Sequence, residues 1–354
     1  MSGAGFTRAE TIGMRNGEEI AIAPLWEFLR DKLDGAADGI ALEQFPDGHS
    51  NLTYLLRAGG REYVLRRPPL GPVAPKAHDM VREYHVLRAV HPHYPQAPEV
   101  FVLCEDPAVL GAPFFVMERR RGVVLREEVP REFSGDPQLV SEAFLGALVK
   151  LHAVDATQDA VAAPGKPEGY VERQVRGWAE RWHRAMTEEV AEADEVIRWL
   201  AARIPAPLAP SLIHNDYKLD NVMLSPGPPE RVEAVLDWEM ATVGDPLSDL
   251  GLTLCYWVWA IAPEVRAAAI PALTAGPGWY TRDRLVERYA ECTGRDVTRI
   301  GYYEVLGVFK LAVIIQQIYS RFHRGQTHDE RFRNFGERAR RLAELAAKLA
   351  EKYG

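Results

Sequence analysis

Cysteine is scarce in this sequence. Only Cys104, Cys255 and Cys292 occur in 354 residues. They lie far apart, are odd in number and show no C-x-x-C spacing, which argues against a disulfide framework and against a cysteine zinc site. Buried free thiols in a reducing compartment are expected instead. Surplus positive charge is also missing. The 42 Lys and Arg stand against 50 Asp and Glu, a net charge of −8, which disfavours nucleic acid as the main partner. Long apolar runs are missing too. The longest uncharged stretches, 250–263 and 267–281, contain proline and fall short of the ~20 residues that a membrane-spanning helix needs. The first residues carry no apolar segment of the secretory type. A soluble, cytoplasmic chain with no membrane partner is therefore expected. No internal repeat or long low-complexity tract is present.

What is present is an ordinary globular mixture, 47% apolar and 26% charged. The length calls for one bilobal unit or two domains. The first third reads mostly as strands. Residues 52–57 and 62–67 are short apolar-rich runs around Ala58-Gly59-Gly60, a hairpin signal. Apolar residues at helical spacing follow over 77–90. Residues 100–103 and 113–118 read as two further strands. From Pro137 the pattern turns helical, over 140–154, 171–186 and 188–204. A strand–loop–strand insert at 211–238 interrupts it. Helices resume at 247–259, 282–292, 301–321 and 330–351. The class is α+β: a small β-rich lobe, residues 1–118, before a larger helical lobe, residues 119–354.

The densest chemistry lies in the insert. Between two apolar strands, one loop holds His214, Asp216, Lys218, Asp220 and Asn221. A third strand, 232–236, runs into Asp237-Trp238-Glu239. Phosphoryl transfer needs such a set. Charge spreads over the γ-phosphate oxygens in the transition state, so a cation and Mg²⁺ must be close. Mg²⁺ takes hard oxygen ligands, and a separate carboxylate must accept the proton of the attacking hydroxyl. Asp216 is the candidate base, Lys218 the cation, and Asn221 and Asp237 the metal ligands.

The run His-Asn-Asp-Tyr-Lys-Leu-Asp-Asn, 214–221, resembles the kinase catalytic loop H-R-D-L-x-x-x-N, with His214, Asp216 and Asn221 in register. Asp237 resembles the metal-binding Asp of D-F-G. Together with the segment 235–251, the loop is similar to the aminoglycoside/choline phosphotransferase branch of the protein-kinase-like fold. Within that branch the chain looks most like the kinase-like domains related to those fused to acyl-CoA dehydrogenases. Supporting stretches are Ser50-Asn-Leu-Thr-Tyr, Tyr63-Val-Leu-Arg-Arg-Pro-Pro69, Phe114-Phe-Val-Met-Glu118 and Phe309-Lys-Leu-Ala-Val-Ile. The resemblance covers roughly residues 40–325 and implies a bilobal kinase-like fold with ATP and Mg²⁺ as cofactors. It implies an architectural His214, and an Asp249 that holds the backbone N–H groups of the loop. Asp220 reads as a solvated turn residue.

In such a fold a strand lysine grips the α- and β-phosphates. Here Arg66 stands in that place, with Val64 on the same strand face toward adenine. Arginine can bind phosphate with two donors and cannot lose its charge. Glu83 is the expected partner of Arg66. Ser50 and Asn51 fall in the phosphate-loop position, which lacks the usual glycines, and Met117, Glu118 and Arg119 form the expected hinge. Asp237 and Asp249 lie too close for a protein-kinase activation loop, so a small-molecule hydroxyl is the expected acceptor. Lys310, Gln317 and Arg321 recur at i, i+7 and i+11 on a mostly apolar helix, one narrow polar stripe. That stripe suggests an acceptor pocket for an anionic substrate, a hydroxy acid or hydroxyacyl-CoA, whereas an aminoglycoside or choline pocket should be acidic. The rival readings are a nucleotide-binding regulatory pseudokinase, suggested by Arg66, and an aminoglycoside- or choline-type kinase. Five tryptophans, 178, 182, 257, 259 and 279, read as packing residues, and His91-Pro-His93 as a plain loop.

Overall fold

The Gly59-Gly60 turn closes a hairpin between β2 (Leu52–Ala58) and β3 (Arg61–Arg67). Both glycines have positive φ, 53° and 79°, the twist that suits a two-residue hairpin turn. A Cβ on Gly59 would come within 2.6 Å of the Gly35 Cα, so only glycine fits. The structure is a computed structural model. It describes residues 10–46, 51–69, 78–126, 129–130, 133–157, 161, 165–257, 273–327 and 329–354. They fall into two compact units, Met1–Arg121 and Gly122–Gly354.

In the first unit the hairpin lies inside a five-stranded antiparallel sheet. Its order is β1 (Ile40–Gln44), β2, β3, β5 (Phe114–Glu118), β4 (Val100–Cys104). Side chains alternate across β3. Tyr63 and Leu65 join a core with Leu25 and Leu29 of α1 (Ile22–Leu29), which leaves Val64 and Arg66 on the other face. The strand pattern did not announce α1, which has no side-chain cap at its start. Helix α2 (Met80–Val90) begins where the Asp79 side chain accepts the Arg82 N–H at 3.0 Å. A four-residue turn, α3 (Pro107–Leu110), connects β4 to β5.

In the second unit the predicted insert contributes three strands to two small sheets, each completed by a strand from outside it. β6 (Val123–Val124), β8 (Val222–Leu224) and β9 (Val232–Val235) form one; β7 (Ser211–Ile213) and β10 (Thr242–Gly244) form the other. Among the described residues its helices are α4 (Pro137–His152), α5 (Tyr170–Ala185), α6 (Ala191–Ala202), α7 (Leu247–Tyr256), α8 (Arg282–Thr293), α9 (Ile300–His323) and α10 (Phe335–Tyr353). Helix α4 starts three residues earlier than the periodicity predicts. Asp136 caps it, accepting the Gln138 and Leu139 N–H groups, with Pro137 in the first turn.

Helix α9 is the central strut of this unit. By length and composition it could cross a membrane, yet it is packed by α10, α7 and α5 and largely buried, as a helix apolar on every side must be in a folded core. Its crossing with α7 is close. A Cβ on Gly251 would fall 2.6 Å from the Tyr303 backbone, and one on Gly307 2.8 Å from the Cys255 sulfur. Gly251→Val is therefore expected to force the two helices apart, at a cost of about 1–3 kcal/mol or more. Urea unfolding checks this, and an unchanged midpoint would show that the crossing is slack. Of the three thiols, Cys104 and Cys255 are buried but Cys292 is exposed, which corrects the expectation for that residue; it lies in the last turn of α8.

Candidate active site

The loop 214–221 runs from β7 to β8, and Asp237 follows β9. Pairing of β8 with β9 sets Val222 opposite Val235. The Leu236 N–H donates to the Asn221 carbonyl at 2.8 Å. Asp237, one residue further on, is thereby brought beside Asn221.

The loop backbone is held at almost every peptide. The Asp249 carboxylate, on α7 and fully buried, accepts the His214 and Asn215 N–H groups, each at 2.6 Å. His214 Nδ1 accepts the Asp216 N–H at 3.3 Å, and its Nε2 faces the Leu236 carbonyl at 3.0 Å. That pattern requires a neutral ring with the proton on Nε2. Burial, which pushes the His214 pKa down, keeps it so. The carbonyls are matched in the same way. Asn215 O accepts from Lys310, Asp216 O from Asn221 Nδ2, Tyr217 O from the Thr253 hydroxyl and Lys218 O from the Asn221 N–H. Buried backbone groups need such partners. Asn215 has φ 65° and Asp237 φ 66°. Non-glycine residues in the left-handed region carry a conformational cost and collect at functional sites.

Asp216 sits on this frame, about a quarter exposed. Its Oδ2 accepts from Asn221 Nδ2 at 2.8 Å and lies 3.1 Å from the Lys218 ammonium. Its Oδ1 has no partner among the described residues. Burial works against the Lys218 charge, but the Tyr256 oxygen and the Asp216 and Asp220 carboxylates outweigh it and hold the pKa above that of an ordinary lysine. The ammonium also lies 5.0 Å from the Tyr256 ring centre. Because Asn221 Nδ2 is turned to Asp216, its Oδ1 is the atom left for a ligand. An amide oxygen and the Asp237 carboxylate, tied together through Leu236, are the hard donors Mg²⁺ takes, so the residues fit that ion.

Asp249 itself is held below the usual carboxylate range. Burial pushes its pKa up, but His152 and His214 beside it and the N–H groups it accepts bring it down. His152 Nε2 lies 3.2 Å from its Oδ2, and Tyr289 closes the other side of that ring at 2.8 Å from Nδ1. The periodicity of α4 gave His152 no role beyond its helix. Asp245 does not reach the loop; it accepts the Tyr303 hydroxyl and the Leu247 N–H.

Lys310, Gln317 and Arg321 do not form one lining. Lys310 is buried, and its Nζ donates to the Asn215 carbonyl at 2.7 Å. Gln317 is half-buried and Arg321 exposed, and at ~1.5 Å of rise per residue they stand roughly 10 and 16 Å further along the helix. A pocket opens elsewhere, beside Lys218 and Asp220, with walls from Phe144, Tyr256, Trp257 and Leu273 and with Arg126 among its lining. The reading of the loop as a set of polar letters missed these walls, and it missed Asp220 as a pocket residue.

In the first unit, Arg66 Nε lies 3.2 Å from Glu83 Oε2, both buried. Val64 pairs with Met117 across β3 and β5. Asn51 is buried, and its Oδ1 lies 2.8 Å from His78 Nδ1. The Glu118 N–H donates to the Glu99 carbonyl, and the Arg119 guanidinium pairs with Glu10 and lies 4.9 Å from the Phe45 ring centre. Ser50 and Trp259 lie outside the described residues.

The phosphotransferase enzyme family model, APH, matches residues 41–287. The chain belongs to that family. The expected kinase-like α+β fold is the one observed, and the membership makes the chain a small-molecule phosphotransferase by class. A solved Ralstonia eutropha protein, provisionally named an aminoglycoside phosphotransferase, is 31% identical with a TM-score of 0.79, and the match covers 94% of this chain and 99% of that one. Aminoglycoside phosphotransferase APH(4)-Ia, crystallised with AMP-PNP and hygromycin B, shares the fold at 19% identity and a TM-score of 0.60, over 92% of this chain and 98% of that one. Among curated proteins, acyl-CoA dehydrogenase family member 11 of Gallus gallus is 30% identical over 323 residues, 89% of this chain. The chain spans less than half of that relative, 41%.

Proposed function

We propose that this phosphotransferase moves the γ-phosphoryl group of ATP, with Mg²⁺, onto the hydroxyl of a small acyl-bearing acceptor, a hydroxy acid or hydroxyacyl-CoA. The observation that carries the proposal is Asp216. One of its oxygens is fixed by Lys218 and Asn221 while the other is left to take a proton. As the acceptor oxygen bonds to the γ-phosphorus and the bond to the β-phosphate oxygen breaks, the hydroxyl proton passes to Asp216. Lys218 stays charged and offsets the growing phosphoryl charge. Asn221 and Asp237 would hold Mg²⁺, which supplies further neutralisation when bound. On the nucleotide side, Arg66 braced by Glu83 takes the role of the strand lysine, with the backbone of Met117–Arg119 reading the base.

The pocket beside the loop supports this choice of acceptor. Among the described residues its walls are aromatic and aliphatic, and its charged members are two cations, Lys218 and Arg126, against one carboxylate, Asp220. A polycationic aminoglycoside or choline would meet like charge there. The acyl-CoA dehydrogenase name of the curated relative points in the same direction. Release of ADP from MgATP, measured against panels of hydroxyacyl-CoA thioesters, hydroxy acids, amino alcohols, sugars and aminoglycosides, tests this reading. Stimulation by the first two panels is expected. Stimulation by aminoglycosides or amino alcohols alone would replace the acceptor assignment.

A further inference from the structure

We propose that Lys310 is a positioning residue that fixes the catalytic loop by clamping the peptide carbonyl directly before Asp216. Sequence pattern alone put this lysine on a substrate-facing stripe; the structure gives its ammonium a different task. Nζ donates to Asn215 O at 2.7 Å, and the side chain is 8% exposed. The same ammonium lies 5.6 Å from the Trp178 ring centre, so an aromatic face covers part of what water has vacated.

Three features make the Asn215 carbonyl a place where a clamp matters. Asn215 is left-handed, at φ 65°, a conformation that an L-residue keeps only when its surroundings impose it. Its side chain is already fastened, accepting from the Tyr170 hydroxyl at 2.8 Å and donating to the Met240 carbonyl at 3.1 Å. The peptide that joins Asn215 to Asp216 then has both ends fixed, its N–H by His214 and its carbonyl by Lys310. That peptide plane sets the direction in which the Asp216 side chain leaves the backbone.

The charges fit as well. Asp249 takes the two preceding N–H groups and Lys310 takes the following carbonyl. A buried anion and a buried cation thus grip opposite ends of successive peptide dipoles. Removing either leaves the other without its opposite and frees a polar backbone group. Loss of a charge-assisted hydrogen bond of this kind is expected to lower the population of the aligned loop about tenfold or more.

The inference rests on the reading of Asp216 as the base. The full chain is compared with Lys310→Met and with the pair Lys310→Arg and Lys310→Gln, using MgATP with water as the acceptor for turnover. Hydrogen–deuterium exchange of the loop amides supplies a readout that needs no activity. Lys310→Met is expected to lower kcat about tenfold or more, to leave the KM for ATP within about twofold, and to speed exchange over residues 213–217 by about tenfold. If Lys310→Met does not fold, the other pair decides: Arg, which keeps the cation, should retain clearly more kcat and slower loop exchange than Gln. Unchanged kcat and loop exchange in Lys310→Met, or equal values for Arg and Gln, would overturn the proposal. A parent protein with no MgATP turnover at all would count against the reading of Asp216, and the exchange data would still decide on Lys310.

Discussion

Asp216→Asn is expected to lower turnover with MgATP by about 10²- to 10⁴-fold, the range for losing a positioned general base, while ATP binding stays within about twofold. The amide keeps an oxygen that can accept from Lys218 or Asn221, so the loop should hold its shape. What it lacks is a carboxylate able to take the acceptor proton. The loop frame does not depend on the Asp216 side chain: His214, Asp249, Thr253 and Lys310 hold its peptides. Steady-state kinetics with any acceptor that stimulates ADP release, together with ATP titration by calorimetry, makes the check. A kcat within a few-fold of the parent would remove Asp216 from the chemistry and leave another group to take the acceptor proton. Loss of ATP binding in step with kcat would instead mean that Asp216 supports the nucleotide.

The second large effect concerns Asp249. Asp249→Ala leaves the His214 and Asn215 N–H groups without an acceptor in a fully buried position, and removes the charge facing His152. Breaking one side of a buried charged network costs about 3–5 kcal/mol, and turnover should fall with it because the loop loses two anchors. The effect has a pH signature. The carboxyl is held below its usual range in the folded chain, so its contribution is fully present above the unfolded pKa, about 4. It is lost as pH falls from there toward the lower folded value. The stability gap between parent and variant in urea should therefore be flat from pH 7 to about 5 and shrink below about 4. A gap that stays constant into that acid range would show that the carboxylate is not the ionised anchor described here.

Much of the candidate site was legible because its letters are close in the chain. His214, Asp216, Lys218 and Asn221 lie within eight residues, between two apolar runs that could only be short strands. The Arg66–Glu83 pair could be anticipated as well, because strand alternation and helix periodicity each place one partner. Less was legible where position depends on packing between distant segments. The Gly251–Gly307 crossing appears only when α7 and α9 meet. His152 lies 97 residues from Asp249, to which it is bound, and nothing local marks it. The pocket walls come from α4, the end of α7 and the segment after it, and as letters they are ordinary core residues.

Lys310 marks the boundary most clearly. On its own helix it is a cation at a spacing shared with Gln317 and Arg321, and a spacing can say which side of a helix a residue occupies but not what stands opposite. The central hairpin, most of the longer helices, the phosphotransfer letters and the family were legible in local pattern, since period, turn chemistry and motif are properties of neighbouring residues. Which groups stand at bonding distance from Asn215 and Asp249, which thiol is exposed and where the pocket beside Lys218 opens were decided by the tertiary structure. Hydrogen bonds and burial act over a few ångströms of space, whatever the distance along the chain.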